Sequence, residues 1–544
     1  MRYLSCDGTK GLLPGFGAGH SSAAKAMAIL VALAMSLAAF ALCAAGTSDA
    51  DGKTVTVNTW DELQNALKNC ESDDTIILGS DIELNQDSDE EEIEGINSLR
   101  IDLGGHTIKA NHFKDSVHQG RLFHIGESSV VTIENGTLSK GFDDDGGCAY
   151  VESTGTLVMR NVNITDCCSS DDGAAIFVNG GILEMHACSI SDCRSYDNGG
   201  AIYVNDGGHA ILESVQIQEN KADGHGGAIE ITESSGLEIE GCTFEHNYCT
   251  DEGGAVFING ESGASFVKTT FVDNGTFQGD HGGAIYIAGD SSATISSCTF
   301  QDNECGADGG AIYITDSSMD IGLHDTVNYF KGNLSWESGG AIYIKNSNVS
   351  IAHANFEDNG AGQFSSEDDA EGGAMFIDDD SEVYLEVCSF TGNKARTHGG
   401  GIVVEDDDDI SLRISDLIVI KDNKIATHDE TFSDSNLVIR SDLRIDCGTL
   451  ADGSEIWVAL DGGERVFTSN FSTNNPDKDP ATFFKSTDTN RYVAADPDSK
   501  EARLYGGSAE DMSDNTMLIV GIAAAIVVIL AAVGAFYFRR AKKI

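Results

Sequence analysis

A two-phrase internal repeat governs what this chain can fold into. The phrase Gly-Gly-Ala-Ile, with its variants, begins at Gly146, Gly173, Gly199, Gly226, Gly253, Gly282, Gly309, Gly339, Gly372 and Gly399, at intervals of 26 to 33 residues and most often 27. A second phrase, Phe-x-x-Asn, follows 17 to 21 residues after a start: Phe244/Asn247, Phe271/Asn274, Phe300/Asn303, Phe330/Asn333, Phe356/Asn359 and Phe390/Asn393. Ile217/Asn220 and Ile420/Asn423 keep the pattern with Ile, while Ile164/Cys167 and Ile190/Cys193 put Cys where the Asn would be. A unit this short cannot bury its own apolar face, whereas stacked copies can, each contacting only its neighbours.

Each unit reads as strand, turn, strand, turn. The alternation in residues 237–244 (LEIEGCTF) has the period of two that a half-buried strand requires, and no helical period spans the repeats. Coils stacked at about 4.8 Å would bring the Phe side chains into one interior column, each stabilising the fold by roughly 1.5 to 3 kcal/mol when buried. The Asn side chains would pass amide hydrogen bonds from coil to coil, and the paired glycines would allow a positive φ and close backbone approach at a tight corner. The twelve Phe and Asn residues are therefore expected to be structural columns. The expected architecture is all-β, a right-handed parallel β-helix.

The ends read differently. Residues 26–45 are apolar, follow Lys10 and Lys25 and end in small residues, the order of a secretory signal. Residues 516–538 carry no charge and are long enough to cross roughly 30 Å of hydrocarbon as a helix. Arg539, Arg540, Lys542 and Lys543 follow at once, a flank that stays cytoplasmic. Residues 506–515 hold no wall-sorting signal, so the helix is expected to be retained. The expected organisation is a signal region at 1–50, an N-terminal cap and opening coils at 51–110, repeats at 111–429, closing coils and a small β cap at 430–505, a linker at 506–515, one C-terminal transmembrane helix at 516–538 and a basic cytoplasmic tail at 539–544. With a formal net charge of −55, the extracellular part repels nucleic acid and suits divalent cations or basic partners.

The pairing of Gly-Gly-Ala-[Ile/Val/Met] with Phe-x-x-Asn over residues 146–423 resembles the repeat of the polymorphic outer-membrane protein family, adhesins with β-helical passenger domains. The opening TWDELQNAL and IDLGGHTI are similar to the start of pectate-lyase-like β-helix surface proteins. The resemblance implies adhesion to an extracellular ligand, a glycan or a host or matrix protein, and implies no catalytic residue. The chain departs from that family in carrying one helix where the family has a membrane β-barrel.

The same architecture hosts polysaccharide lyases and glycosidases, the alternative reading. Basic residues in the repeats (Arg160, Arg194, Lys268, Lys345, Arg396) share no column, and Trp336 is the only Trp there to offer a sugar platform. No catalytic residue is assigned. The residue before each glycine pair forms a column, Asp145, Asp172, Asn198, His225, Glu252, His281, Asp308, Ser338, Glu371 and His398, open to two readings: Ca²⁺ chelation by carboxylates of adjacent turns or a solvated turn. Its histidines are too far apart for a transition-metal cluster. Cys188, Cys242, Cys298 and Cys388 read as small buried filler. Cys167 with Cys193, and the pairs Cys242/Cys249 and Cys298/Cys305, leave disulfide bonding open.

Overall fold

The computed structural model describes residues 52–84, 91–110, 120–277, 280–322, 326–362, 370–406, 409–426, 432–440, 442–461 and 463–507, all within the unit Gly52–Ile544. The signal region, the span 516–538 and the basic tail lie outside the described residues; among the described ones no helix is long and apolar enough to cross a membrane.

The described chain winds as a right-handed parallel β-solenoid of about 14 turns. One coil shows the plan. After Gly226 the strand Ile229–Ile231 runs to a turn at Glu233 and Ser234, followed by Gly236–Glu240, Thr243–Glu245 and the two-residue strand Tyr248–Cys249. Each strand pairs in parallel with its counterpart one coil on: Ile229 with Val256, Leu237 with Ala264, Phe244 with Phe271 and Cys249 with Thr276. The coil thus has four strands where the sequence pattern suggests two. The run 237–244 divides because Gly241 takes φ 65°. In other coils Asn161, His353 and Val387 make the same left-handed bend. The short fourth strands stack into a sheet of their own, 12-stranded in all.

The glycine pair separates into two roles. Gly309 takes φ +74°, a region that L side chains rarely adopt. Gly310 has no such need, but a Cβ there would stand 2.2 Å from Gly340 O at the next glycine pair and 2.6 Å from Leu334 C in the fourth strand of its own coil, both backbone atoms. We expect Gly310→Ala to destabilise by about 2–3 kcal/mol in urea denaturation. Gly263→Ala, whose Cβ would meet nothing nearer than Ser292 Oγ at 3.7 Å, should stay within about 0.5 kcal/mol of the parent.

The interior is two ladders side by side. Phe244, Phe271, Phe300, Phe330, Phe356 and Phe390 are at most 1% exposed and stack with ring centroids 4.4 to 4.8 Å apart. Beside them, the side-chain amide of Asn220 donates to Asn247, and the relay continues through Asn274, Asn303, Asn333, Asn359, Asn393 and Asn423 to Asn436, with every step between 2.8 and 3.0 Å. The other amide hydrogen goes to a backbone carbonyl of the preceding coil, as from Asn303 to Phe271 O at 3.1 Å. Cys193 heads the relay, its backbone N–H donating to Asn220 Oδ1.

The N-terminal end is covered by the helix Trp60–Lys68, which buries Trp60, Leu63 and Leu67 over the first coil. Thr59 caps it by accepting from Glu62 N, and Glu62 Oε2 in turn accepts from Asn58 N. At the other end the antiparallel pair Arg491–Ala495 and Ala502–Gly506 follows the last coils, with Phe467, Phe471, Phe483 and Phe484 buried nearby. All twelve cysteines among the described residues are free thiols. Those of Cys242, Cys298 and Cys388 donate to carbonyls of the preceding coil at 3.4 Å, so they fill space and satisfy backbone at once. Cys242 and Cys249 serve different corners, the latter donating to Asp251 O.

Candidate functional site on the outward face of the first strand

In the first strand of each coil the flanking Ile or Val residues point into the core, so the middle residue faces out. Coil by coil the parallel register lines these residues up: His124, Tyr150, Phe177, Tyr203, Glu230, Phe257, Tyr286, Tyr313, Tyr343 and Phe376. Their rings stack at 5.1 to 5.2 Å on either side of Glu230. Outward-facing as they are, Phe177 and Tyr313 are only 6% and 8% exposed. Phe177 lies between the rings of Tyr150 and Tyr203, and residues before the glycine pair cover others: His225 stacks on Phe257 and His281 lies tilted over Tyr313, each at 4.4 Å. Ring faces already occupied by neighbours cannot serve as platforms for a sugar. Trp336, 41% exposed, instead ties its Nε1 to Glu304.

The column before the glycines is neither a bare solvated turn nor a set of free chelators. Its side chains cap the next coil. Asp145 accepts from Asp172 N (3.2 Å), Asp172 from Asn198 N (3.1 Å), Asn198 from His225 N (3.0 Å), Asp308 from Ser338 N (2.7 Å) and Ser338 from Glu371 N (3.3 Å). This explains why the column accepts Asp, Asn and Ser alike: the position needs a short acceptor. Burial pushes the carboxyl of Asp172 up to about 6 and that of Asp308 up to about 7, against the backbone hydrogen bonds that favour the charged form.

Three places along this face break the pattern. In the middle stands Glu230, 5% exposed, between Tyr203 and Phe257 in the ladder. Among the described residues its Oε2 has no hydrogen-bond partner. Burial pushes its carboxyl up to about 8; the charge of His225 opposes that shift, while Asp172, Asp197 and Glu252 add to it. Burial would depress His225, yet its hydrogen bond to Glu252, 2.8 Å from Nδ1, and the surrounding carboxylates raise it overall.

At the N-terminal end, His124 occupies the ladder position, and ligand-type atoms of Glu92, His124 and Glu152 all lie within 4.8 Å of one another. At the C-terminal end, Glu371 accepts from His398 and Thr397 and pairs with Arg440, which also reaches Glu405 at 2.6 Å. Three basic residues of the repeats are engaged elsewhere: Arg194 with Asp223, Lys268 with Glu240, and Lys345 with Asp378 and Asp379. The repeat pattern places Glu371 and His398 in the column before the glycines but marks neither Glu230 nor the group of Glu92, His124 and Glu152. The one signal for Glu230 was an acidic residue where the Ala-Ile-Tyr-Ile phrase has its aromatic; for Glu92 and His124, which precede the first glycine pair, only strand register brings them together.

A comparison with curated proteins gave no match. Residues 121–284 and 283–443, more than half of the chain, match the family described as right handed beta helix region, and the chain belongs to that family.

Proposed function

We propose that this chain is a cell-surface adhesin-like β-helix protein that binds an extracellular glycan or a host or matrix protein along a repetitive acidic surface, tethered to the membrane by residues 516–538. The observation that carries this reading is the chemistry of the corners. At the left-handed position after the third strand stand Asp166, Asp192, Glu219, Asp273, Asp302, Asp358 and Asp422, interrupted by His246, Gly332 and Gly392; at the corner after the first strand stand Asp206, Glu233, Asp316 and Asp379, with Glu261 and Asp290 one position further on. Asn or Gly satisfies a left-handed corner as well as Asp. Stacking like charges at roughly 4.8 Å per coil costs stability. Fold requirements alone therefore do not account for acids in these rows, whereas recognition of a basic or cation-bridged partner does. The likeness of the repeat to that of the polymorphic outer-membrane adhesins supports the same reading.

The test is binding of the full chain, in detergent, to glycan and matrix-protein arrays with and without Ca²⁺, scoring cleavage in the same wells. Retention that weakens with salt and leaves the ligand intact is the expected result. Cleavage would instead favour the second reading, a polysaccharide lyase or glycosidase, which rests on Glu230: a buried carboxyl held up to about 8 beside other acids has the character of a general acid.

A further inference from the structure

We propose that Glu92, His124 and Glu152 form a mononuclear site for a divalent transition-metal ion, with Zn²⁺ the best match. The three side chains come from three successive coils. Glu92 is paired in register with His124, His124 with Tyr150, and Glu152 follows directly after the strand Ala149–Val151. Parallel pairing fixes the spacing of their backbones, so the donors converge without a flexible loop. His124 Nε2 lies 3.0 Å from Glu152 Oε1, and all three ligand-type atoms fall within 4.8 Å of one another, close enough for one ion to draw them in to metal-bond length.

Two further features prepare the site. The His124 ring packs edge-on against Tyr150, with centroids 5.3 Å apart and planes at 73°, which fixes its direction. Gly126 leaves room for the carboxylate opposite: a Cβ there would stand 2.6 Å from Glu92 Oε1. The position is also singular, because the ladder that carries Tyr or Phe in most later coils carries imidazole here. One imidazole nitrogen with two carboxylates suits a borderline divalent ion, whereas Ca²⁺ takes six to eight oxygens. Three protein ligands leave a coordination position open to water or to a partner's donor.

The experiment strips the full chain with chelator and titrates it with Zn²⁺ by calorimetry, with Co²⁺ absorption as a spectroscopic readout. One equivalent per chain should bind, Ca²⁺ should not displace it, and Zn²⁺ should raise the melting temperature of the parent. Glu152→Gln and His124→Tyr should each weaken binding by at least about 100-fold, beyond the 10- to 100-fold typical of groups that only orient a ligand. His124→Tyr restores the ladder's own side chain, so it keeps the fold while removing the nitrogen donor. Binding of equal affinity in these variants, or only weak uptake at many salt-sensitive sites in the parent, would overturn the proposal and leave the triad as a hydrogen-bonded cluster.

Discussion

Replacing Asn303 by Ala is expected to cost about 3–6 kcal/mol, more than an ordinary core truncation of similar size. Asn303 donates to Asn333 Oδ1 (2.9 Å) and Phe271 O (3.1 Å), and its Oδ1 accepts both the backbone N–H and the side-chain amide of Asn274 (3.1 and 3.0 Å). Truncation strands two donors on Asn274, itself only 1% exposed, and each buried orphan costs about 1–3 kcal/mol. Polarisation along the relay adds to this. Because each coil touches only its neighbours, the loss is local before it is global. Hydrogen exchange should therefore rise first at Asn274, whose backbone N–H loses its acceptor, and the urea midpoint should fall with it. Asn303→Asp keeps the acceptor but sets a carboxylate against Asn333 Oδ1, so it should be at least as damaging at neutral pH and partly recover in acid, where a protonated carboxyl can donate. An unchanged midpoint in the alanine variant would mean that water satisfies the stranded groups and that the relay contributes little.

The coil and its repeat were legible because two phrases recur in step, and register follows once strands stack in parallel. The interior bend was not, although the sequence carried a sign of it. Ile239 and Phe244 are both buried yet stand an odd number of residues apart, so a strict period of two cannot place both inside. The left-handed residue at Gly241 supplies the phase shift, and small neighbours such as Cys242 hide it from the hydrophobic pattern. The fourth strand, two residues long in most coils, is too short to leave any period. The column before the glycines showed its position but not its purpose, because its backbone partners belong to the next coil. For the outward ladder, alternation predicts exposure, but the burial of Phe177 depends on the rings of the adjacent coils and that of Tyr313 also on His281 lying over it. The Glu92–His124–Glu152 triad depends wholly on register between coils that share no repeat phrase.

The Glu230→Gln variant is expected to be more stable than the parent at pH 9, by on the order of 3–5 kcal/mol, and nearly equal to it at pH 4. The carboxyl has its ordinary value near 4.5 in the unfolded chain and is pushed up to about 8 in the fold. Between those two values the folded protein holds a proton that the unfolded chain has released. Stability therefore falls as pH rises through this window, by up to about 1.4 kcal/mol per pH unit, and levels off above it, where both states are ionised and the folded one carries an unpaired buried charge. Glutamine has the same shape and no proton to lose, so its profile lacks this descent. Several groups on the same face retain a smaller slope of the same sign: Asp172 and Asp308, both raised by burial, and His225, raised by its bond to Glu252 and by the charge of Glu230 itself. The urea midpoints of parent and variant, followed from pH 4 to 9, should diverge steadily above pH 5. Parallel profiles would show that Glu230 is hydrated in solution and ionises like a surface acid, and would remove the main support for reading it as a general acid. Divergence in stability together with ligand binding unchanged between pH 6 and 9 would make it a structural interruption of the ladder, whereas binding or cleavage that follows the same titration would place the ligand against this side chain.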